Sequence, residues 1–157
     1  MATIRIYDCR DGGILALDLR DLLDLLGPRS QQAIWTVSKV KLYYPDLNDF
    51  REEFMATGRG AGQLNVLARN RSSVSGTVLT ELAKATWQII WGEFVATLPQ
   101  QEVVWMTIRA IDSSFYEVTT TDEAVLNKVK SAFKDVRVAA APVTSAPIPQ
   151  VPREDDR

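Results

Sequence analysis

Residues 77–99 read TVLTELAKATWQIIWGEFVATLP, and the way they divide decides the fold. The first dozen are rich in good helix formers, and a helix running on to Leu98 would stop before Pro99. On that reading Trp87 and Trp91, four residues apart, form one aromatic ridge. Ending the helix near Gln88 instead makes IIWGEFVA a strand, because the β-branched pair Ile89-Ile90 and Gly92 weaken a helix. Both readings stand on the sequence alone, and they expose different tryptophans.

The flanking stretches read as strands and helices of their own. Downstream, EVVWMTIRAID (102–112) is a strand, Ser113-Ser114 turns the chain, and FYEVTT returns. Asp122 then caps a helix, EAVLNKVKSAFKD, with Ala124, Val125, Leu126, Val129, Ala132 and Phe133 on its apolar side. At the other end TIRIYD (3–8) alternates Ile4 and Ile6 against Arg5 and Tyr7, the period of a half-buried strand. RDGG is a hairpin-turn signal, ILAL would be its returning strand, and Asp18 would cap a short helix that stops at Gly27-Pro28. A rival reading starts that helix at Ile14, since Leu15, Leu19, Leu22, Leu23 and Leu26 share one stripe.

The middle is less regular. AIWTVSKVKLYY (33–44) is β-branched and aromatic, with a phase slip between Val37 and Val40 that a bulge near Ser38 would explain. PDLNDFREEFMAT reads as a turn and a short helix. Residues 57–76, rich in Gly, Arg and Ser, read as a long mobile loop holding at most one short strand.

The expected fold is therefore α+β: an antiparallel, twisted sheet of four to six strands with two or three packed helices. A single globular domain spans 1–138, and 139–157 form a Pro-rich disordered tail. At an offset of 104, Thr3, Ile4, Arg5, Asp8, Asp18 and Leu22 meet Thr107, Ile108, Arg109, Asp112, Asp122 and Leu126. Shared ββα grammar accounts for these matches, and an internal ββα repeat is the other reading.

Composition then narrows function. The chain has 157 residues and a formal net charge of −2, so no global field draws it to nucleic acid or an acidic membrane. It has no histidine, which removes Ser-His and Cys-His catalysis and the commonest metal ligand. With one cysteine as well, no zinc site of the usual N/S type can be built within one chain, and no cofactor motif is present. No apolar run has the length of a membrane span, and a start without a basic, apolar leader suggests a cytoplasmic protein.

Single features carry little chemistry. Cys9 lies between Asp8 and Asp11, which oppose a thiolate, and reads as a structural residue at the hairpin. GRGAG (58–62) lacks the Gly-Lys-Ser/Thr ending of a phosphate loop. Glu93, Asp112 and Glu117, with Tyr116 and Ser113 nearby, offer acid–base groups in no diagnostic pairing. In the tail, Pro149 and Pro152 make a minimal PxxP followed by Arg153, which a plain linker also explains.

The leading expectation is a small non-catalytic interaction module of the immunity, inhibitor, adaptor or accessory-subunit type. It would bind a partner protein through an aromatic and arginine surface of Trp105, Arg109, Tyr116 and Trp91, residue types that dominate interface hot spots. The alternative is a nucleic-acid accessory protein that engages phosphates weakly through Arg59, Arg69 and Arg71. A third reading is a histidine-free enzyme using Asp, Glu, Tyr or Cys9.

Overall fold

The computed structural model describes residues 1–144. Its main sheet has eight strands, all paired antiparallel: β1 (Ala2–Ile6), β2 (Ile34–Ser38), β5 (Met55–Gly58), β6 (Ser73–Ser75), β7 (Thr86–Thr97), β8 (Val104–Ile111), β9 (Phe115–Thr120) and β10 (Val136–Ala139). They run in the order β10-β1-β9-β8-β7-β2-β6, with β5 also on β7. A separate two-stranded arm pairs β3 (Val40–Tyr44) with β4 (Asp49–Glu53). The helices are α1 (Leu19–Leu26), α2 (Pro28–Gln32), α3 (Ala61–Asn70), α4 (Gly76–Lys84) and α5 (Glu123–Ala132). The fold is α+β, with more strands and helices than the sequence suggests.

The decisive stretch is helix then strand. α4 stops at Lys84, four residues before the expected Gln88, and the remainder is the twelve-residue β7. Gly92, Phe94 and Ala96 of β7 are buried, while Glu93, Val95 and Thr97 between them stay part-exposed. Against β5 the register shifts twice, leaving Ile90 and Trp87 as extra residues on β7. A bulge of this kind re-aims its side chain, and Trp87 is 75% exposed. Backbone groups of the same stretch are also held by side chains: Arg20 Nη1 donates to Thr86 O at 3.0 Å, and Asp18 Oδ1 accepts from Ile89 N at 3.3 Å.

One hydrophobic core fills the space between sheet and helices. Ile4 and Ile6 from β1, Phe94 from β7, Ile108 from β8 and Val118 from β9 meet Leu19, Leu22, Leu23 and Leu26 of α1. Each such leucine contributes about 2 kcal/mol of transfer free energy. α1 starts where the sequence places it: Asp21 Oδ2 accepts from Asp18 N at 2.7 Å, and Gly27 ends it with φ 69°. α5 is capped by Asp122, whose Oδ1 accepts from Ala124 N and Val125 N.

Four expectations are corrected. The 57–76 segment is no loop; it carries the end of β5, helix α3 and strand β6. PDLNDFREEFMAT forms a 3-10 turn, Pro45–Leu47, followed by β4 and most of β5 in place of a helix. The slip near Ser38 is a change of sheet instead of a bulge. Trp35 and Val37 of β2 enter the main core, whereas Val40 and Leu42 of β3 pack in a second cluster with Ile111.

Last, ILAL makes no strand beyond the single Cys9–Leu15 bridge, so the first stretch lacks the ββα form of the second. β9 and β10 occupy both sides of β1. The chain also stays within the domain past residue 138: Arg5 Nη2 donates to Ala141 O, and Val143 N donates to Glu117. The PxxP of Pro149 and Pro152 lies outside the described residues.

Candidate functional site

The face of the sheet turned away from the helices is polar apart from Trp91, Ile111 and Phe115, on which the arm packs, and strand register orders it into rows. One cross-strand row runs Thr3, Thr119, Thr107, Val95, Thr36, Ser73. The next runs Arg137, Arg5, Glu117, Arg109, Glu93, Ser38. From Arg5 to Glu93 the sign alternates, placing opposite charges on neighbouring strands, the favourable cross-strand arrangement, whereas Arg137 faces the like charge of Arg5.

The charged row is closely bonded. Arg109 Nε donates to Glu93 Oε2 at 2.9 Å and its Nη1 to Glu117 Oε1 at 3.0 Å, with Thr119 Oγ1 at 3.3 Å. Arg5 Nε reaches the other oxygen of Glu117 at 3.0 Å. Glu117 has no exposed side-chain surface, and its carboxylate also accepts from Val143 N at 3.2 Å. A buried carboxylate needs such partners, because its desolvation costs several kcal/mol, about as much as its ion pairs return.

Beside this row, at the start of the arm, lies a cleft of about 460 Å³. Its lining is Lys39 and Lys41 from the start of the arm, Arg71 after α3, Arg109, Glu93 and Val95 from the sheet, and the hydroxyl residues Thr36, Ser38 and Thr144. Among the described residues that line it, four cations therefore face one carboxylate, Glu93, which Arg109 already holds. Arg71 makes one exposed ion pair with Glu52 at 3.3 Å. Lys39 and Lys41 are exposed, and neither has an ion pair among the described residues. Among the described residues no aromatic side chain lines the cleft.

The structure redistributes the residues the sequence singles out. Trp105 is buried, its indole N–H donating to Asp122 Oδ2 at 3.0 Å while the Arg29 guanidinium sits 4.8 Å from the ring centre. Tyr116 is buried in the core and donates to Asp18 Oδ1 at 3.3 Å. Burial, reinforced by the Asp18 charge, pushes the Tyr116 phenol well above its ordinary pKa. Trp91 is half-buried against the Val40, Leu42 and Ile111 cluster. These four residues thus form no common exposed surface, and only Arg109 reaches the cleft.

The basic trio also separates. Arg59 precedes α3 and Arg69 and Arg71 lie at its other end, a helix length of about 15 Å apart. Of the three, only Arg71 lines the cleft. The sequence reading misses Lys39 and Lys41, which an alternation of charged and apolar residues through SKVKLYY could have flagged.

The acid–base candidates do not converge. Glu117 is locked in the ion-pair row, Glu93 is held by Arg109, and Asp112 occupies an exposed turn with φ 50°. Cys9 is exposed, with its Sγ 3.0 Å from Tyr7 O. Among the described residues no group of three or more Cys, Asp or Glu side chains could hold a metal ion, and no helix is long and apolar enough to cross a membrane. Comparison with protein-family models, with curated proteins and with solved structures returns no significant match.

Proposed function

We propose that the protein is a non-catalytic interaction module that takes an acidic segment of a partner protein into the cleft between the sheet and the β3–β4 arm. The observation that carries this reading is the pair Lys39 and Lys41, exposed and without an ion pair among the described residues, while Arg71 and Arg109 line the same cavity. Side-chain hydroxyls beside them supply further hydrogen bonds to carboxylates. A cytoplasmic setting suits a chain whose one cysteine is a free thiol.

A nucleic-acid backbone is the second reading, supported by Arg71 at the rim. A cleft without an aromatic platform among the described residues and a net charge of −2 favour the protein partner over single-stranded nucleic acid.

Titration with a labelled oligo-glutamate peptide tests the proposal. Lys39→Glu with Lys41→Glu should abolish binding, and Arg59→Ala with Arg69→Ala should leave it unchanged. Binding that survives the lysine reversals removes the cleft as the site. An oligonucleotide that binds through Arg59 and Arg69, with no peptide binding, supports the second reading.

A further inference from the structure

The cleft has a candidate occupant within the same chain. Thr144, the last described residue, lines it, and the preceding segment is tied down beside it by Val143 N to Glu117 and by Arg5 to Ala141 O. The sequence that follows, SAPIPQVPREDDR, has no charge until Arg153 and then places Glu154, Asp155 and Asp156 in a row. A spacer covering residues 145–153 extends up to about 30 Å, so this acidic run can reach any part of the cleft. Tethered ligands act at effective concentrations in the millimolar range. A triplet of carboxylates too weak to bind in trans would therefore compete in cis.

We propose that Glu154, Asp155 and Asp156 act as an internal competitor for the cationic cleft, docking against Lys39, Lys41 and Arg71 until a partner's acidic segment displaces them. The proposal deepens the reading of the cleft as a partner site by giving it a regulator. Affinity for a partner would then rise when the triplet is neutralised or drawn away. Increasing salt would weaken the internal contact and the partner's binding together, because both rest on screened charges.

The test uses the full chain, labelled with ¹⁵N, with Cys9→Ser and Val151→Cys and a nitroxide on the introduced thiol. Selective broadening of the amides of Lys39, Lys41 and Arg71, lost on Glu154→Gln, Asp155→Asn and Asp156→Asn, is the expected result. Broadening of these amides no greater than that of α5, or unchanged by the neutral triplet, would overturn it.

A parallel titration with the oligo-glutamate peptide separates the two ideas. Binding several-fold tighter to the neutralised chain than to the parent supports the competitor. Equal binding by both chains overturns the competitor and leaves the partner site intact. Binding by neither, with the selective broadening present, removes the partner site while the internal contact stands.

Discussion

Arg109 Nη1 lies 3.0 Å from Oε1 of Glu117, a carboxylate with no exposed surface, while Nε of the same guanidinium holds Glu93 at 2.9 Å. One planar group thus joins strands β7 and β9 across β8. Replacing Arg109 with methionine leaves Glu117 to Arg5 and the Val143 amide, and Glu93 to the Ser38 hydroxyl at 3.4 Å. The expected cost is about 3 kcal/mol, read from urea denaturation. Arg109→Lys should recover less than half of it, since a point charge cannot serve both carboxylates in the geometry of a fork. A methionine variant as stable as the parent would show that the row offsets its own desolvation without Arg109.

Gly76 opens α4 where α4 crosses α2. A methyl group at its Cα would meet the backbone of Ser30 and Gln31, the nearest atom being Ser30 O, while Gly76 N donates to Ala33 O at 2.8 Å. The obstacle is backbone on both sides, so no rotamer change relieves it. Gly76→Ala is expected to cost about 3 kcal/mol, in the range of overpacked sites. Gly62→Ala, with open space around its Cα, is the control and should be neutral or slightly stabilising. Thermal melts of the two variants, compared with the parent, check the contrast.

Asp122 serves four donors: the Trp105 indole, the Ala124 and Val125 amides in the first turn of α5, and the Arg29 guanidinium. The Trp105 hydrogen bond above all, with the Val125 amide and Arg29, holds its carboxyl below the ordinary Asp value. A lowered native pKa means that this contribution is present above the unfolded-state value near 3.9 and is lost as pH falls through the native value. Asp122→Ala removes cap and indole partner together, for an expected loss of about 2 kcal/mol at neutral pH. The loss should shrink below about pH 4. Urea titrations followed by tryptophan fluorescence measure both quantities, and a loss independent of pH would assign the effect to packing alone.

The legible parts of this fold are those whose local chemistry has one solution. Asp18 and Asp122 each stand before an apolar helical stripe, so both caps and both helices, α1 and α5, follow from the sequence. The β8–β9 hairpin follows in the same way from two alternating runs around Ser113-Ser114. α3 escapes because Gly-rich GRGAG and RNRSS at its ends hide a short stripe in which only Leu64 and Ala68 are buried. β4 escapes because no residue of DFREE is fully buried, so no hydrophobic period marks it. The cleft depends on tertiary placement. Lys39 and Lys41 meet Arg71 and Arg109 only because Val40 and Leu42 fold onto the opposite face of the sheet from Trp35 and Val37.

Asp18 carries the opposite pH dependence to Asp122. Its Oδ1 accepts from the Ile89 amide and the Tyr116 hydroxyl, and burial raises its pKa against the lowering effect of those bonds and of Arg20. A raised native pKa means that the native state holds the proton more tightly. Its contribution is complete below the unfolded-state value near 3.9 and is lost as pH rises through the native value. Asp18→Asn keeps an oxygen for both donors and a good residue at the helix start without a charge to bury. At neutral pH the variant should equal the parent or exceed it by up to about 1 kcal/mol, and the advantage should disappear as the solution is acidified toward about pH 4. Asp18→Ala, which lacks the oxygen, should lose about 2 kcal/mol at both ends of that range. An asparagine variant less stable than the parent at neutral pH, with the gap closing in acid, would mean that the negative charge at the start of α1 outweighs its burial.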